Sequence, residues 1–279
     1  MDDIVAGIAK KANAAFEVSD GDYEQDGLIF CGRCRSPKQK RITLSGKSVV
    51  VACMCSCESD AYDLERAETK QKRRMEEIER MRMSGIRLGL HGCTFDEDTG
   101  KNPKQMEMAK RYVTMWESMK QKKVGLLFWG NTGNGKTFTA ACVANALVDQ
   151  GIPSMVTSFP KILEVAQGMY PEDRGNYFQS MNVYDLLVLD DLGVERQTEY
   201  GMEVVYNVID QRYVLGKPVI ITTNLTLDEL KAPKDMRLQR IYDRITAMCI
   251  PVKFSGESLR EDQGKKMRDE ARGILYGGV

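Results

Sequence analysis

This sequence of 279 residues has a single histidine, no net charge and no long apolar run. Because 40 basic residues balance 40 acidic ones, no global charge marks a nucleic-acid binder, and any such surface must be a local patch. No stretch approaches the roughly eighteen apolar residues of a membrane span, and the acidic N-terminus is unlike a signal peptide. We therefore expect a soluble, intracellular protein with no membrane partner. His91 lies between glycines in a predicted linker and is assigned no role.

A glycine-rich segment carries the strongest functional signal. Its sequence GNTGNGKT matches the pattern G-x-x-x-x-G-K-T; an apolar run at 124–129 predicts a strand before it, and residues 138–147 predict a helix after it. This is the context of a phosphate-binding P-loop, in which backbone N–H groups and the helix dipole meet a polyphosphate. Lys136 would reach the β- and γ-phosphates, and Thr137 would ligate Mg²⁺. The predicted nucleotide-binding residues are Gly130, Asn131, Thr132, Gly133, Asn134, Gly135, Lys136, Thr137 and Phe138.

Two further predicted strands end in polar residues. The first, at 185–189, is followed by Asp190 and Asp191, and the second, at 218–223, is followed by Asn224. We expect Asp190 to hold Mg²⁺ through water and Asp191 to polarise the attacking water, while Asn224 could touch the γ-phosphate and that water. The other predicted elements of this part are a strand at 155–158 and helices at 103–122, 160–169 and 201–214. This succession predicts an α/β fold with a parallel sheet flanked by helices on both faces.

Cysteines are concentrated near the N-terminus. Five of the eight lie between positions 31 and 57, as C-x2-C followed by C-x-C-x-C, which is typical of a tetrahedral zinc site of the ribbon type. Strands predicted at 41–44 and 48–52, joined by a hairpin turn, would bring the two groups together. Metal would then supply much of the folding free energy of so small a unit. The candidate ligands are Cys31, Cys34 and Cys55 with either Cys53 or Cys57; a cluster of buried free thiols is the alternative.

A charged helix is predicted between these two parts. From 60 to 83, 14 of the 24 residues are charged, and a narrow apolar stripe recurs at three- and four-residue steps. The helix is either a solvated one that leans on its neighbour or one that binds a partner protein. Glycines between 85 and 92 end the pattern and mark a boundary.

The order and spacing of these motifs resemble the AAA+ ATPases of the DnaC/DnaI/IstB group, over roughly residues 95 to 262. The segments that carry the resemblance are 130–137, 187–193, 210–213, 222–224, 240–245 and 256–260. The cysteine cluster is similar to the zinc-binding region of DnaI-type and phage-encoded helicase loaders. We therefore expect a zinc-binding N-terminal domain at 1–58, a charged helix and linker at 59–94, an AAA+ ATPase domain at 95–262 and a C-terminal tail at 263–279.

The resemblance also implies roles for single residues. Asn224 would be the sensor-1 residue, Arg244 the arginine finger that enters the ATP site of a neighbouring subunit, and Arg260 the sensor-2 arginine. An arginine supplied in trans raises phosphoryl-transfer rates by roughly 10³–10⁵ and ties hydrolysis to assembly. Asp191 stands where many AAA+ proteins have Glu, a feature this family shares, so we expect a Mg²⁺-dependent ATPase that is weak unless assembled or stimulated. Two further family positions are occupied by Arg212 and Arg240.

The function implied is ATP-dependent loading of a replicative hexameric helicase of the DnaB type onto single-stranded DNA. The expected ligands are ATP or ADP, Mg²⁺ and Zn²⁺, with self-association through the ATP site. The expected setting is the cytoplasm of a bacterial cell, with a phage or prophage gene. Two alternatives remain: an IstB-type ATPase that assists a transposase on duplex DNA, and a non-enzymatic zinc-dependent adaptor that binds ATP structurally.

Single-stranded DNA is the second expected ligand. In this family the insert between the second strand and the acidic strand contributes to DNA contact. Aromatic faces there could stack on bases while cationic side chains follow the phosphates, or the aromatics could simply pack between helices. The residues concerned are Lys161, Tyr170, Arg174, Tyr177 and Phe178.

Overall fold

The computed structural model describes residues 16–44, 46–193, 198–233, 235–255 and 259–276, apart from several side chains at 44, 47, 259–263 and 266. The chain forms two compact units, Met1–Met75 and Glu76–Val279. None of the described helices combines the length and apolar character needed to cross a membrane.

The N-terminal unit contains two antiparallel hairpins among its described residues. In the first, β1 (Tyr23–Gln25) pairs with β2 (Leu28–Phe30). In the second, β3 (Gln39–Leu44) pairs with β4 (Lys47–Ala52) in a register that sets Gln39 opposite Ala52. This second hairpin is the one that the sequence predicts. The charged segment forms helix α1 (Ser56–Gly85), as predicted, and it crosses the boundary between the two units.

In the second unit, strands alternate with helices. The strands are β5 (Gly125–Gly130), β6 (Ser154–Ser158), β7 (Leu186–Leu192), β8 (Val219–Thr223) and β9 (Cys249–Phe254). The helices are α2 (Pro103–Thr114), α3 (Trp116–Gln121), α4 (Lys136–Asp149), α5 (Phe159–Gln167), α6 (Pro171–Ser180), α7 (Glu199–Leu215), α8 (Leu227–Lys231), α9 (Met236–Met248) and α10 (Leu259–Tyr276). Short 3-10 turns occupy Leu88–Leu90 and Met181–Val183.

The described strands of this unit form one parallel sheet in the order β6-β7-β8-β5-β9. Alternate residues of each strand point to opposite faces, so each face has its own core. On one face Leu187 and Ile221 pack with α5, α7 and α9; on the other Val188 and Ile220 pack with α2 and α4. The predicted α/β fold with helices on both faces is confirmed. Because helices cover both faces, the inner strands are almost entirely apolar.

The hairpin β1–β2 and the helices α6, α8, α9 and α10 were not predicted, and two further differences concern the helix at 103–122 and strand β9. The helix expected over 103–122 is interrupted at Met115, whose φ of −97° and ψ of 18° lie outside the helical range. Tyr112 and Trp116 on either side of the interruption are both buried, with ring centroids 6.0 Å apart. Strand β9 is not among the predicted elements, and it contains Pro251, which has no N–H to donate to a neighbouring strand. It is accommodated because β9 lies at the edge of the sheet, paired with β5 alone among the described strands.

Candidate functional site

The P-loop joins β5 to α4 at the carboxyl edge of the sheet. Its glycines take left-handed or otherwise restricted conformations, with φ of 134° at Gly130, 83° at Gly133 and 87° at Gly135. At Gly130 a Cβ would also lie only 2.1 Å from the carbonyl oxygen of Phe254 on the neighbouring strand, so no larger residue fits. Gly135 is the N-cap of α4. The loop therefore ends at a helix N-terminus, where backbone N–H groups and the helix dipole favour an anion.

Lys136 is nearly buried at the centre of this loop. Its ammonium donates to the carbonyl oxygens of Gly130 at 2.8 Å and Asn131 at 2.6 Å, and to Oδ1 of Asn224 at 2.9 Å. Asn224 follows β8, which lies between the P-loop strand β5 and the acidic strand β7. The strand order thus brings the predicted sensor-1 residue into contact with the predicted phosphate-binding lysine.

Asp190 is a buried carboxylate with hydroxyl donors around it. Its Oδ1 accepts hydrogen bonds from Thr137 Oγ1 at 2.8 Å and from Thr222 Oγ1 at 2.5 Å. A guanidinium nitrogen of Arg87 lies 3.7 Å from its other oxygen, Oδ2. A carboxylate at 4% exposure requires such partners, because burying an uncompensated charge is costly. The two predicted Mg²⁺ ligands, Thr137 and Asp190, are therefore adjacent.

Asp191 leaves the regular strand. Between the pairs Leu189–Ile221 and Leu192–Thr223 the register shifts, so strand β7 has one residue more than β8 at this point. Asp191 takes a left-handed conformation in this bulge, with φ of 61°, and its side chain is exposed to the cleft. A bulge of this kind redirects a side chain away from the sheet, and non-glycine residues with positive φ concentrate at functional sites.

The Thr222 hydroxyl connects both aspartates. It donates to Asp190 Oδ1 and accepts from the backbone N–H of Asp191 at 3.0 Å. Thr222 is not among the predicted site residues, since a threonine inside an apolar strand looks like an ordinary strand residue. Its signal in the sequence is its place in the segment 222–224, two residues before Asn224.

Residues 132–138 of the P-loop, Asp191 and Asn224 line a cleft with a volume of about 250 Å³; Asp190 is hydrogen-bonded to Thr137 but is not part of its wall. Its wall also includes six residues that were not predicted to belong to the site: Glu97, Asp98, Thr99, Asn102, Met106 and Thr139. Asn102 donates to the carbonyl oxygen of Asn134 at 2.9 Å. The Asn134 side chain is 2% exposed, and neither of its polar atoms has a partner among the described residues. Buried amides normally have hydrogen-bond partners, so the unpaired Asn134 side chain is consistent with a polar ligand that supplies such a partner.

The predicted arginine residues lie elsewhere. Arg244, on α9, is not part of the cleft wall; its guanidinium pairs with Asp210 at 2.8 Å and lies over the rings of Tyr206 and Tyr213. Arg260 is the second residue of α10, and its side chain lies outside the described part of the structure. Their roles stay predictions.

Arg212 is a structural residue. It is fully buried and donates to the carbonyl oxygens of Tyr184, Asp185 and Pro218. Burial away from water lowers its pKa to about 10, since desolvation disfavours the charged form. The guanidinium therefore joins the start of β7 to the turn before β8.

The residues considered for DNA contact divide into two groups. Phe178 is in the hydrophobic core and cannot stack on a base, so this part of the expectation is wrong. Tyr177 is partly buried against the same core, and Arg174 Nε donates to the carbonyl oxygen of Ala166 at 2.9 Å. Lys161 and Tyr170 are exposed. Packing between helices explains most of this group.

Four of the five candidate zinc ligands converge in the N-terminal unit. The sulfur atoms of Cys31, Cys34, Cys55 and Cys57 all lie within 4.8 Å of one another. A tetrahedral site with metal–sulfur distances of about 2.3 Å has sulfurs about 3.8 Å apart, so the set fits Zn²⁺. Cys53 is not in this group; its thiol is 3.5 Å from the carbonyl oxygen of Pro37. The sequence left either Cys53 or Cys57 as the fourth candidate ligand, and the geometry of the cluster favours Cys57.

The surroundings of the cluster favour thiolate formation at one position and oppose it at another. The hydrogen bond with the Ser36 hydroxyl, 3.0 Å from the sulfur, is the main cause that lowers the pKa of Cys34 to about 5. Burial raises the pKa of the Cys55 thiol. A bound cation would offset that cost, because metal binding releases thiol protons.

The strand order, the P-loop and the acids opposite it define an AAA+ P-loop fold. The model of the IstB-like ATP binding protein family matches residues 61–267, and the chain belongs to this family.

Two replicative helicase loaders are similar to this chain in sequence. The replicative helicase loader DnaI of Bacillus subtilis is 26% identical over 217 residues, which cover 72% of this chain and 70% of DnaI. The replicative helicase loader DnaC of Escherichia coli K12 is 23% identical over 179 residues, covering 63% and 72%.

Solved structures support the fold. A crystal structure of DnaI has a TM-score of 0.52 at 22% identity and covers 62% of this chain and 93% of that one. A crystal structure of the DnaC helicase loader also has a TM-score of 0.52, at 23% identity, covering 61% and 100%.

Proposed function

We propose that this protein is an ATP-dependent loader of a replicative hexameric helicase of the DnaB type onto single-stranded DNA. One observation carries the proposal: Lys136, Thr137, Asp191 and Asn224, which would bind and act on ATP, line one cleft in a chain of an ATP-binding family. The similarity to relatives named as replicative helicase loaders supports helicase loading as the process that this ATPase serves.

The nucleotide would lie along the P-loop. Its backbone N–H groups and Lys136 would hold the β- and γ-phosphates, and Thr137 and Asp190 would hold Mg²⁺, which neutralises developing phosphate charge when bound. In the structure the three N–H donors of the Lys136 ammonium all have oxygen acceptors, so at least one of these contacts would be exchanged for a phosphate oxygen on binding. The unpartnered amide of Asn134 gives a further polar contact to the ligand.

Hydrolysis would be carried out by the groups at the strand ends. Asp191, exposed in the bulge, would accept a proton from the attacking water, and Asn224 would orient that water beside Lys136. Arg244 would act from a second copy of the chain, and Arg260 from the same chain. An isolated subunit would then be a slow ATPase, and self-association through the ATP site would accelerate it.

The N-terminal region, residues 1–58, would bind Zn²⁺ through Cys31, Cys34, Cys55 and Cys57, and with the linker at 59–94 it would bind the helicase. The ATPase domain at 95–262 would contact single-stranded DNA, where Tyr170 and Lys161 are exposed. The segment 263–279 lies beyond the ATPase domain in this division, and its residues up to Tyr276 belong to helix α10.

The test uses the full chain and the replicative helicase of its host. A labelled oligonucleotide is annealed to circular single-stranded DNA, which a ring helicase can enter only after loading, and its displacement is measured. We expect co-elution of the two proteins and displacement that requires ATP and this protein. Lys136→Ala should abolish nucleotide binding and displacement while its fold, checked by circular dichroism, is retained. The proposal would be refuted if the wild-type protein failed both to co-elute with the helicase and to stimulate displacement.

The second candidate is the transposition helper of the IstB type, which the description of the family model favours. It predicts retention of a transposase and duplex DNA instead of the helicase. The cysteine cluster in the N-terminal unit favours the loader, by similarity to the zinc-binding region of DnaI-type proteins.

A further inference from the structure

Arg87 contacts the acidic side of the candidate ATP site from a segment to which no role was assigned. Its guanidinium lies 3.7 Å from Oδ2 of Asp190. The other oxygen, Oδ1, accepts the hydroxyls of Thr137 and Thr222. The arginine therefore faces the oxygen of Asp190 that neither of these two hydroxyls occupies.

The backbone around Arg87 is anchored on both sides. Before it, Gly85 is packed so closely that a Cβ would lie 2.2 Å from the carbonyl oxygen of Ser154, and Ile86 is buried in the core. After it, the Asn145 side chain donates to the carbonyl oxygens of Leu90 at 2.8 Å and Cys93 at 3.0 Å. The backbone position of Arg87 is thus fixed by the fold of this unit, while its side chain is 48% exposed and reaches Asp190 from the solvent side.

The charges define what this contact does. The Asp190 side chain is 6% exposed and that of Arg87 is 48% exposed, so water and salt screen the attraction between the two charges in part. A divalent cation held by Thr137 and Asp190 would share the same carboxylate with Arg87. Like charges around one carboxylate repel, so the cation and the guanidinium weaken each other's contact.

We propose that Arg87 opposes Mg²⁺ at Asp190 and thereby sets the Mg²⁺ concentration at which nucleotide binds. This inference rests on the proposed nucleotide site. Linkage is reciprocal, so Mg²⁺-nucleotide binding also loosens Arg87 and the 3-10 turn that follows it, Leu88–Leu90.

The experiment measures binding of a fluorescent ADP analogue to the full chain as Mg²⁺ is titrated. Arg87→Gln removes the charge, Arg87→Lys retains it, and Arg82→Gln is the matched control, because Arg82 pairs with Glu79 and Asp149 instead. We expect Arg87→Gln to lower the half-saturating Mg²⁺ concentration by about threefold to tenfold, less so at high salt, with the other two variants close to wild type.

A second measurement needs no variant. In the wild-type protein the backbone amide of Leu90, which donates to the carbonyl oxygen of Arg87 at 2.8 Å, should exchange hydrogen faster when Mg²⁺ is added to the ADP complex. An unchanged or raised Mg²⁺ requirement in Arg87→Gln, or slower exchange at Leu90, would overturn the inference while leaving the nucleotide site intact. Failure of the wild-type protein to bind the analogue at any Mg²⁺ concentration would instead refute the proposed site, and this inference with it.

Discussion

Replacing Thr222 by valine keeps the side-chain volume close to that of threonine and removes one hydroxyl. That hydroxyl donates to the Asp190 carboxylate at 2.5 Å and accepts from the Asp191 N–H at 3.0 Å. A hydrogen bond to a charged group contributes about 1.5–3 kcal/mol, and a neutral one about 0.5–1.5 kcal/mol. Because Thr222 is 1% exposed, water cannot replace it, and we expect a loss of about 3 kcal/mol in the free energy of unfolding.

The assay is urea unfolding followed by tryptophan fluorescence. The chain has two tryptophans, Trp116 and Trp129, and both belong to the unit Glu76–Val279, so the signal reports that unit. Thr222→Ser is the control: it keeps the hydroxyl and loses one methyl group, at a cost of about 1 kcal/mol.

A double-mutant cycle attributes the loss to Asp190. In an Asp190→Asn background the charged partner is gone, so Thr222→Val should cost about 1 kcal/mol less than in the wild type. A loss below about 1 kcal/mol for Thr222→Val alone, or additivity within about 0.3 kcal/mol in the cycle, would refute the role assigned to this hydroxyl.

Three further predictions follow from single contacts. Cys57→Ser should lose most of its bound zinc by metal analysis whereas Cys53→Ser keeps about one ion per chain, and equal zinc contents would contradict the cluster. Arg244→Ala should bind the fluorescent nucleotide like wild type but lose ATP turnover stimulated by DNA or helicase; undiminished stimulation would exclude action in trans. Arg212→Leu, which leaves three carbonyl oxygens unpaired, should cost about 3 kcal/mol or more by the same urea assay, and a near-neutral result would refute its structural role.

The local elements were predictable from the sequence because their causes lie within a few residues. A strand, a loop of the form G-x-x-x-x-G-K-T and a helix follow one another directly, and the glycines allow the conformations that the loop needs. The hairpin β3–β4 likewise depends on alternating residues and a turn next to them. Apolar strands between helices also predict a parallel sheet, since such strands must be covered on both faces.

Other features depend on which distant segments meet, and only the tertiary structure decided them. Cys53 and Cys57 are equivalent in spacing arguments, but the turn into α1 directs Cys57 toward the other thiols. Phe178 has the sequence character of a stacking residue, yet α6 packs it into the core. Hydrophobic burial is nonlocal, so no single stretch of sequence specifies which aromatic side chain stays exposed.

At the site, too, some features of Asp190 and Asp191 follow from the local sequence and others from the tertiary structure. The sequence alone determined that Asp190 and Asp191 end an apolar strand and that Asn224 ends another. The strand order β7-β8-β5 then placed Asn224 beside Lys136 and Thr222 beneath both aspartates, and the bulge turned Asp191 outward. Residue types and short spacings are properties of the chain, whereas partners such as Thr222 and Arg87 are chosen when strands and linkers from far apart in sequence pack together.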